Sequence, residues 1–118
     1  MKTFLAVFTG STAARERSGW DELGDADRAA REQKGIAAWG AWVAKNQASI
    51  VDNGSPLGKT KRAGPGGVTD IKNNLAAYIV VQAETHEAAA KLFEGHPHFT
   101  IFPGEAVEVM ELLPIPRQ

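Results

Sequence analysis

Two imidazoles set two residues apart, in His96-Pro97-His98, are the strongest chemical feature of the sequence. Imidazole titrates near neutral pH, so either ring can give or take a proton during a reaction. The pair follows a helical stretch, whose C-terminal end stabilises positive charge. Asp70 is the carboxylate that would orient one of them. It comes after a glycine-rich stretch and ahead of an apolar run, where it can pair with a histidine, pair with Lys72, or accept backbone hydrogens in a turn. The plainer reading of the histidine loop is a rigid turn with one ring hydrogen-bonded to backbone. A metal would need a third ligand from His86, Asp70 or Glu105, and the spacing of these residues does not assert one. No metal and no cofactor is expected.

Trp39 and Trp42 lie one turn apart on a predicted helix. They are either packing residues or the aromatic wall of a ligand site, since indole joins a large apolar area to a single donor. Trp20, in a loop between glycines, is either a lid over the same pocket or a plug against the helix start. Gly54-Ser55-Pro56-Leu57-Gly58-Lys59-Thr60 imitates a phosphate-binding loop but has one residue too few between its glycines, and Lys61-Arg62-Ala63-Gly64-Pro65 does not open a helix. Nucleotide hydrolysis is therefore not expected. Lys59, Lys61 and Arg62 are either contacts for a carboxylate or phosphate on a small ligand, with Lys59 the one carried into the site, or, in the plainer reading, a solvated loop.

Elements must hold these side chains in place. Residues 3–9 form a first strand with apolar residues on both faces, Phe4, Ala6 and Phe8 against Leu5 and Val7. Residues 10–24 read as a loop. Residues 25–48 read as a helix with Asp25 as N-cap; Ala29, Ile36, Val43 and Ile50 recur every seventh residue, and Trp39 and Gly40 fill between them to give one apolar stripe. Gly35 and Gly40 weaken that helix, which close packing against a sheet would explain. Between 49 and 74 the turn signals Asn53-Gly54 and Gly64-Pro65-Gly66-Gly67 bracket a short second strand. Residues 75–83 are a third strand, apolar on both faces. Thr85 caps a short helix through Phe93 that Gly95 stops. Residues 106–113 are the last strand, ended by Pro114 and Pro116.

The order β-α-β-β-α-β predicts an α+β, ferredoxin-like fold: one antiparallel sheet with both helices on one face. A sheet of this kind normally leaves its other face to water and alternates accordingly. Two strands here are apolar on both faces and no third helix is in view, so a second copy of the chain is expected on the free face, as a homodimer.

At 118 residues the chain has the length of one domain, and 43% hydrophobic with 23% charged residues is enough to build a core. A net charge of -1 argues against a nucleic-acid partner. With no cysteine there is no disulfide, thiolate metal site or cysteine nucleophile, which fits a cytoplasmic setting. The apolar start from Phe4 to Phe8 stops at Thr9-Gly10-Ser11 and reads as a strand rather than a signal segment. No stretch approaches the ~20 apolar residues of a membrane span.

Taken together, several segments resemble the YCII-related family and its DGPF-type relatives over nearly the whole chain. The carriers are the N-terminal Lys2-x-Phe4-Leu5, Trp39-Gly40-Ala41-Trp42, Val68-Thr69-Asp70, the block from Leu75 to Phe93, His96-Pro97-His98-Phe99, and Gly104-Glu105-Ala106-Val107-Glu108-Val109. The resemblance implies a dimeric α+β barrel of ferredoxin-like units. Two departures limit what else carries over. Some members place a histidine in the first helix, proposed to act with an aspartate, and residues 25–48 contain none. Where relatives read Asp-Gly-Pro-Phe, this chain reads Asp70-Ile71-Lys72-Asn73.

The resulting expectation is a small-molecule-binding homodimer with acid–base, lyase-type chemistry. Its cleft would lie between the first helix, the 50–70 segment and the His96–His98 loop. Trp42 and Trp39 would form the wall, His98 or His96 the acid–base group, Asp70 the orienting carboxylate and Lys59 the anion contact. A non-catalytic ligand sensor or protein-interaction module on the same fold is the alternative. A histidine within reach of Asp70 would separate the two.

Overall fold

The structure is a computed structural model that describes residues 1–116. Its centre is a four-stranded sheet made of β1 (Lys2–Thr9), β2 (Ile50–Pro56), β5 (Leu75–Ala83) and β6 (Ala106–Glu111), in the order β2-β5-β1-β6. Every neighbouring pair is antiparallel. This is the α+β, ferredoxin-like arrangement the element order predicts. The β1–β5 register pairs Phe4 with Val81, Ala6 with Ile79 and Phe8 with Ala77. Alternation along each strand puts these residues on one face. There they form the core with Ala83, Ala89 and Phe93, backed by Trp39, Trp42, Leu92, Val107 and Val109. The core face is thus the face that α2 (Asp25–Lys45) and α3 (His86–Lys91) cover.

Several local expectations need correction. The stretch 10–24 is not a loop: Ser11 accepts the Ala14 amide proton through its side chain and starts α1 (Thr12–Ser18), which Gly19 closes in a left-handed conformation. A 3-10 turn at Trp20–Glu22 follows. Trp20 is buried against Phe102, with the Arg31 guanidinium 5.9 Å from its ring centre, so it plugs the helix start and is not a lid. The N-cap of α2 is Gly24, with Asp25 and Asp27 in the first turn, where they still oppose the helix dipole.

The expected apolar stripe of α2 matches the inward side only in part. Ile36 is 66% exposed and Ala29 is exposed, whereas Trp39 and Ile50 do pack on the core, and the inward side is marked by buried Gly35 with half-buried Trp39 and Trp42. A Cβ on Gly35 would strike the Phe102 ring, so this glycine does serve close packing, though against the segment before β6 and not against the sheet. Gly40 has open space around it.

The illegible middle of the chain holds more strand than expected. β2 starts at Ile50, ahead of Asn53-Gly54, which is not a turn but a disruption inside the strand. The register with β5 shifts on both sides of Asp52, and Gly54 adopts φ 65° where a side chain would collide with the Tyr78 carbonyl. Gly64-Pro65-Gly66-Gly67 is a turn, and it joins β3 (Thr60–Gly64) to β4 (Gly67–Ile71), a hairpin that forms its own two-stranded sheet. Pro97 does not merely end a helix. It occupies the first turn of a further short one, α4 (Pro97–Thr100). The last strand stops at Glu111, although the Leu112 amide still donates to the Thr3 carbonyl.

Candidate functional site

The residues expected in one cleft fall into two groups. The first is a buried aromatic and imidazole cluster on the helical side of the sheet. His96 is fully buried and His98 is 7% exposed. His96 is the N-cap of α4, and its Nδ1 accepts the backbone N–H of His98 at 3.0 Å, which places the ring proton on Nε2. Nε2 is buried and has no hydrogen-bond partner among the described residues. The ring meets Trp39 edge to face at 4.5 Å and lies 4.8 Å from Trp42 and 5.2 Å from Phe8. Burial first, and then the neighbouring His98, pushes the His96 pKa down to about 4.

His98 donates from Nε2 to the Thr9 carbonyl at 2.7 Å. Burial lowers its pKa, and this hydrogen bond partly opposes the shift. The same Thr9 carbonyl accepts the Glu105 amide, and the Thr9 hydroxyl donates to the Ala106 carbonyl. Thr9 therefore ties the end of β1 to the start of β6, and His98 braces that knot from the core side. Trp42 stacks on Phe93 and donates its indole N–H to the Leu92 carbonyl at 2.8 Å, while Trp39 stacks on Phe8. Both tryptophans spend their ring faces on the core.

The second group lies at the root of the β3–β4 hairpin. Lys59, Thr60, Lys61, Asp70, Ile71, Lys72 and Asn73, with Gly58 and Leu75, line a groove of about 900 Å³. Here Asp70 does not orient a histidine. It accepts a hydrogen bond from the Lys61 ammonium at 2.6 Å, its register partner across the hairpin. Both side chains face water, at 72% and 84% exposure, so the pair is worth ~1 kcal/mol or less and can open to a ligand. Lys59 and Lys72 have no ion-pair partner among the described residues. Three ammonium groups around one carboxylate give the groove a positive balance.

Lys61 joins Lys59 as one of the anion contacts the sequence offers, whereas Lys72 and Asn73 were not expected to share a site with Lys59. Counting outward from the glycine-rich turn pairs Gly64 with Gly67 and then Lys61 with Asp70. That register is the signal that could have found them. The groups touch at one point: Thr9, which His98 holds, is paired with Leu75 of the groove wall. Among the described residues no cluster of three or more histidine, cysteine or acidic side chains is arranged to hold a metal, and no helix is long and apolar enough to cross a membrane.

A solved structure shares the fold. It is 5-chloro-2-hydroxyhydroquinone dehydrochlorinase (TftG) from Burkholderia phenoliruptrix AC1100, in complex with 2,5-dihydroxybenzoquinone. It superposes with a TM-score of 0.52 over 94% of this chain and 93% of the other, at 20% sequence identity. At that identity the likeness shows the fold alone. No family model matches the chain, and no curated protein matches it.

Proposed function

We propose that this chain binds a small organic anion in the groove at the root of the β3–β4 hairpin. The observation that carries this reading is the convergence of Lys59, Lys61 and Lys72 on about 900 Å³ of open space, with Asp70 as the single carboxylate. Such a volume lies within the range of ~300–1,000 Å³ usual for small-ligand sites. Ammonium groups recognise carboxylate, phenolate or enolate oxygens by charge, and the Asn73 amide adds directional donors. The fold neighbour was solved with a small dihydroxyquinone bound, which supports a ligand of that size and oxygen content.

The groove also bears on the acid–base expectation. Neither histidine lines it, both are enclosed, and the ring nitrogens with partners are engaged by backbone groups. Asp70 is the group in the groove that can accept a proton, and Lys61 beside it can hold the negative charge left on a substrate. That pairing is the basis of a lyase-type reading in which Asp70 replaces His96 or His98 as base. Without turnover, the same groove describes a ligand sensor.

Amide NMR titration with 2,5-dihydroxybenzoquinone and with simple aromatic carboxylates separates these readings. Binding is expected to move the resonances of residues 58–61 and 70–75. Lys59→Ala with Lys72→Ala is expected to weaken it at least tenfold. Shifts confined to the Trp42 indole and the His96 loop would overturn the assignment of the groove. Chloride release from 5-chloro-2-hydroxyhydroquinone that disappears in Asp70→Asn would favour the enzyme; binding without turnover would favour the sensor.

A further inference from the structure

The lysine groove does not end at Asn73. A second open space of about 360 Å³ lies beyond it and shares Asn73 and Leu75 as a common wall. Its far side comes from the start of α1, through Ser11, Thr12 and Arg15, and Asn74 lines it as well. The two spaces meet where the chain leaves β1 and enters β5. There the β1–β5 register shifts between Phe8 and Thr9. Such an irregularity re-aims the chain beside it and is common next to functional sites.

The wall between the spaces is braced. The Asn73 side chain accepts the Leu75 amide proton at 3.0 Å and donates to the Thr60 hydroxyl at 3.2 Å. The Gly10 amide donates to the Asn74 carbonyl at 2.9 Å. Leu75 is 45% exposed and gives the shared wall an apolar surface. Polar groups stand on both sides of it. On one side are Lys59, Lys61 and Lys72. On the other are the Ser11 and Thr12 hydroxyls, the Asn74 amide and the Arg15 guanidinium. Asp21 accepts from Arg15 Nε and one terminal nitrogen at 2.8 to 3.0 Å. The other terminal nitrogen makes no hydrogen bond among the described residues. A guanidinium pinned in this way keeps its remaining N–H groups in a fixed fork, the geometry that suits a carboxylate.

We propose that the anion groove has a second lobe at Arg15, across the Asn73–Leu75 wall, and that its ligand is an elongated diacid. One acid group lies among the lysines, an apolar body crosses Leu75, and the second acid group meets Arg15 with the Ser11 and Thr12 hydroxyls. This rests on the anion-groove reading and narrows it, because a single acid group can fill only one lobe. Joining two acid groups makes the second contact intramolecular, so the diacid gains affinity without any new kind of interaction.

Calorimetric titration of the full chain with succinate, adipate and suberate, beside hexanoate and octanoate, tests this, with amide NMR on the same samples. One of the diacids is expected to bind roughly tenfold tighter than the monoacid of equal carbon number. Amides of residues 11–15 and 74 should move with that diacid and stay still with the monoacids. Arg15→Ala should abolish the diacid's advantage and leave monoacid affinity unchanged, which also shows that the variant is folded. Asn74→Ala should reduce the advantage in the same selective way. Diacids and monoacids that bind alike, with residues 58–61 and 70–75 moving and 11–15 still, would overturn the second lobe and leave the groove standing. So would a diacid advantage that survives Arg15→Ala. If no acid moves residues 58–61 and 70–75, the groove reading itself fails and the lobe falls with it.

Discussion

His96 and His98 illustrate how one short motif can be spent on architecture. His96 uses Nδ1 to cap α4, and His98 uses Nε2 to hold the end of β1. Both are kept neutral by burial, with pKa values below the ordinary ~6.5. In the unfolded chain they regain that ordinary value. Below it the unfolded state binds protons the native state refuses, so stability is intact above pH ~6.5 and falls as the pH drops toward the His96 value of about 4. Each proton taken up only on unfolding steepens the loss by ~1.4 kcal/mol per pH unit. Urea midpoints measured from pH 7.5 to 4.5 should show this decline, and His96→Phe should flatten it. Gly104 is the tightest neighbour of this motif, since a Cβ there would run into the His98 imidazole. Gly104→Ala should cost about 1–3 kcal/mol by urea denaturation, because the added carbon would meet both the His98 ring and the His98 backbone carbonyl; an unchanged urea midpoint would show that the loop yields freely.

Among the elements, α2 separates propensity from packing most clearly. Gly35 and Gly40 carry the same intrinsic penalty, yet one faces the Phe102 ring and the other faces open space. Gly40→Ala should therefore stabilise the protein by up to ~1 kcal/mol through helix propensity, while Gly35→Ala should destabilise it. Thermal unfolding of the two variants in parallel gives opposite shifts if the face is assigned correctly. Ile36→Glu should be nearly neutral for the monomer, because Ile36 projects from the side of the helix away from the sheet. A loss of several kcal/mol would mean that the seventh-residue stripe marks the buried face after all.

At the scale of the molecule, a net charge of -1 conceals a division into a basic segment over 57–74, with Lys59, Lys61, Arg62 and Lys72 against Asp70, and an acidic one over 84–111, with six glutamates against Lys91. Attraction between such surfaces is screened beyond ~10 Å at 0.1 M salt. The homodimer expected from the sequence should weaken in sedimentation equilibrium when sodium chloride is raised from about 50 to 500 mM, while the far-UV spectrum of the folded chain stays unchanged. The melting temperature should rise with protein concentration, since association that binds only the native state stabilises it by mass action. A salt-independent association would point to apolar contact between sheet faces rather than to the charged segments.

The sequence by itself determined the ferredoxin-like order, the span of β5 at Leu75–Ala83, the Thr85 cap of α3 and the turn at Gly64–Gly67. These rest on local rules: alternation, capping and turn chemistry act between residues close in the chain. It did not reveal α1, because a seven-residue helix has too little periodicity to read against three flanking glycines. It set Trp39 correctly on the inward side of α2 but put Ala29 and Ile36 there too, because small and β-branched residues fit either a core or an exposed flank, and only the Phe102 ring over Gly35 decides between them. It joined His96, His98, Trp39 and Trp42 to Asp70 and Lys59 in one cleft. The tertiary structure assigned the first four to the core and the last two to the root of a hairpin, because which face of a sheet a side chain reaches depends on register, and register is set by pairing between strands far apart in the chain.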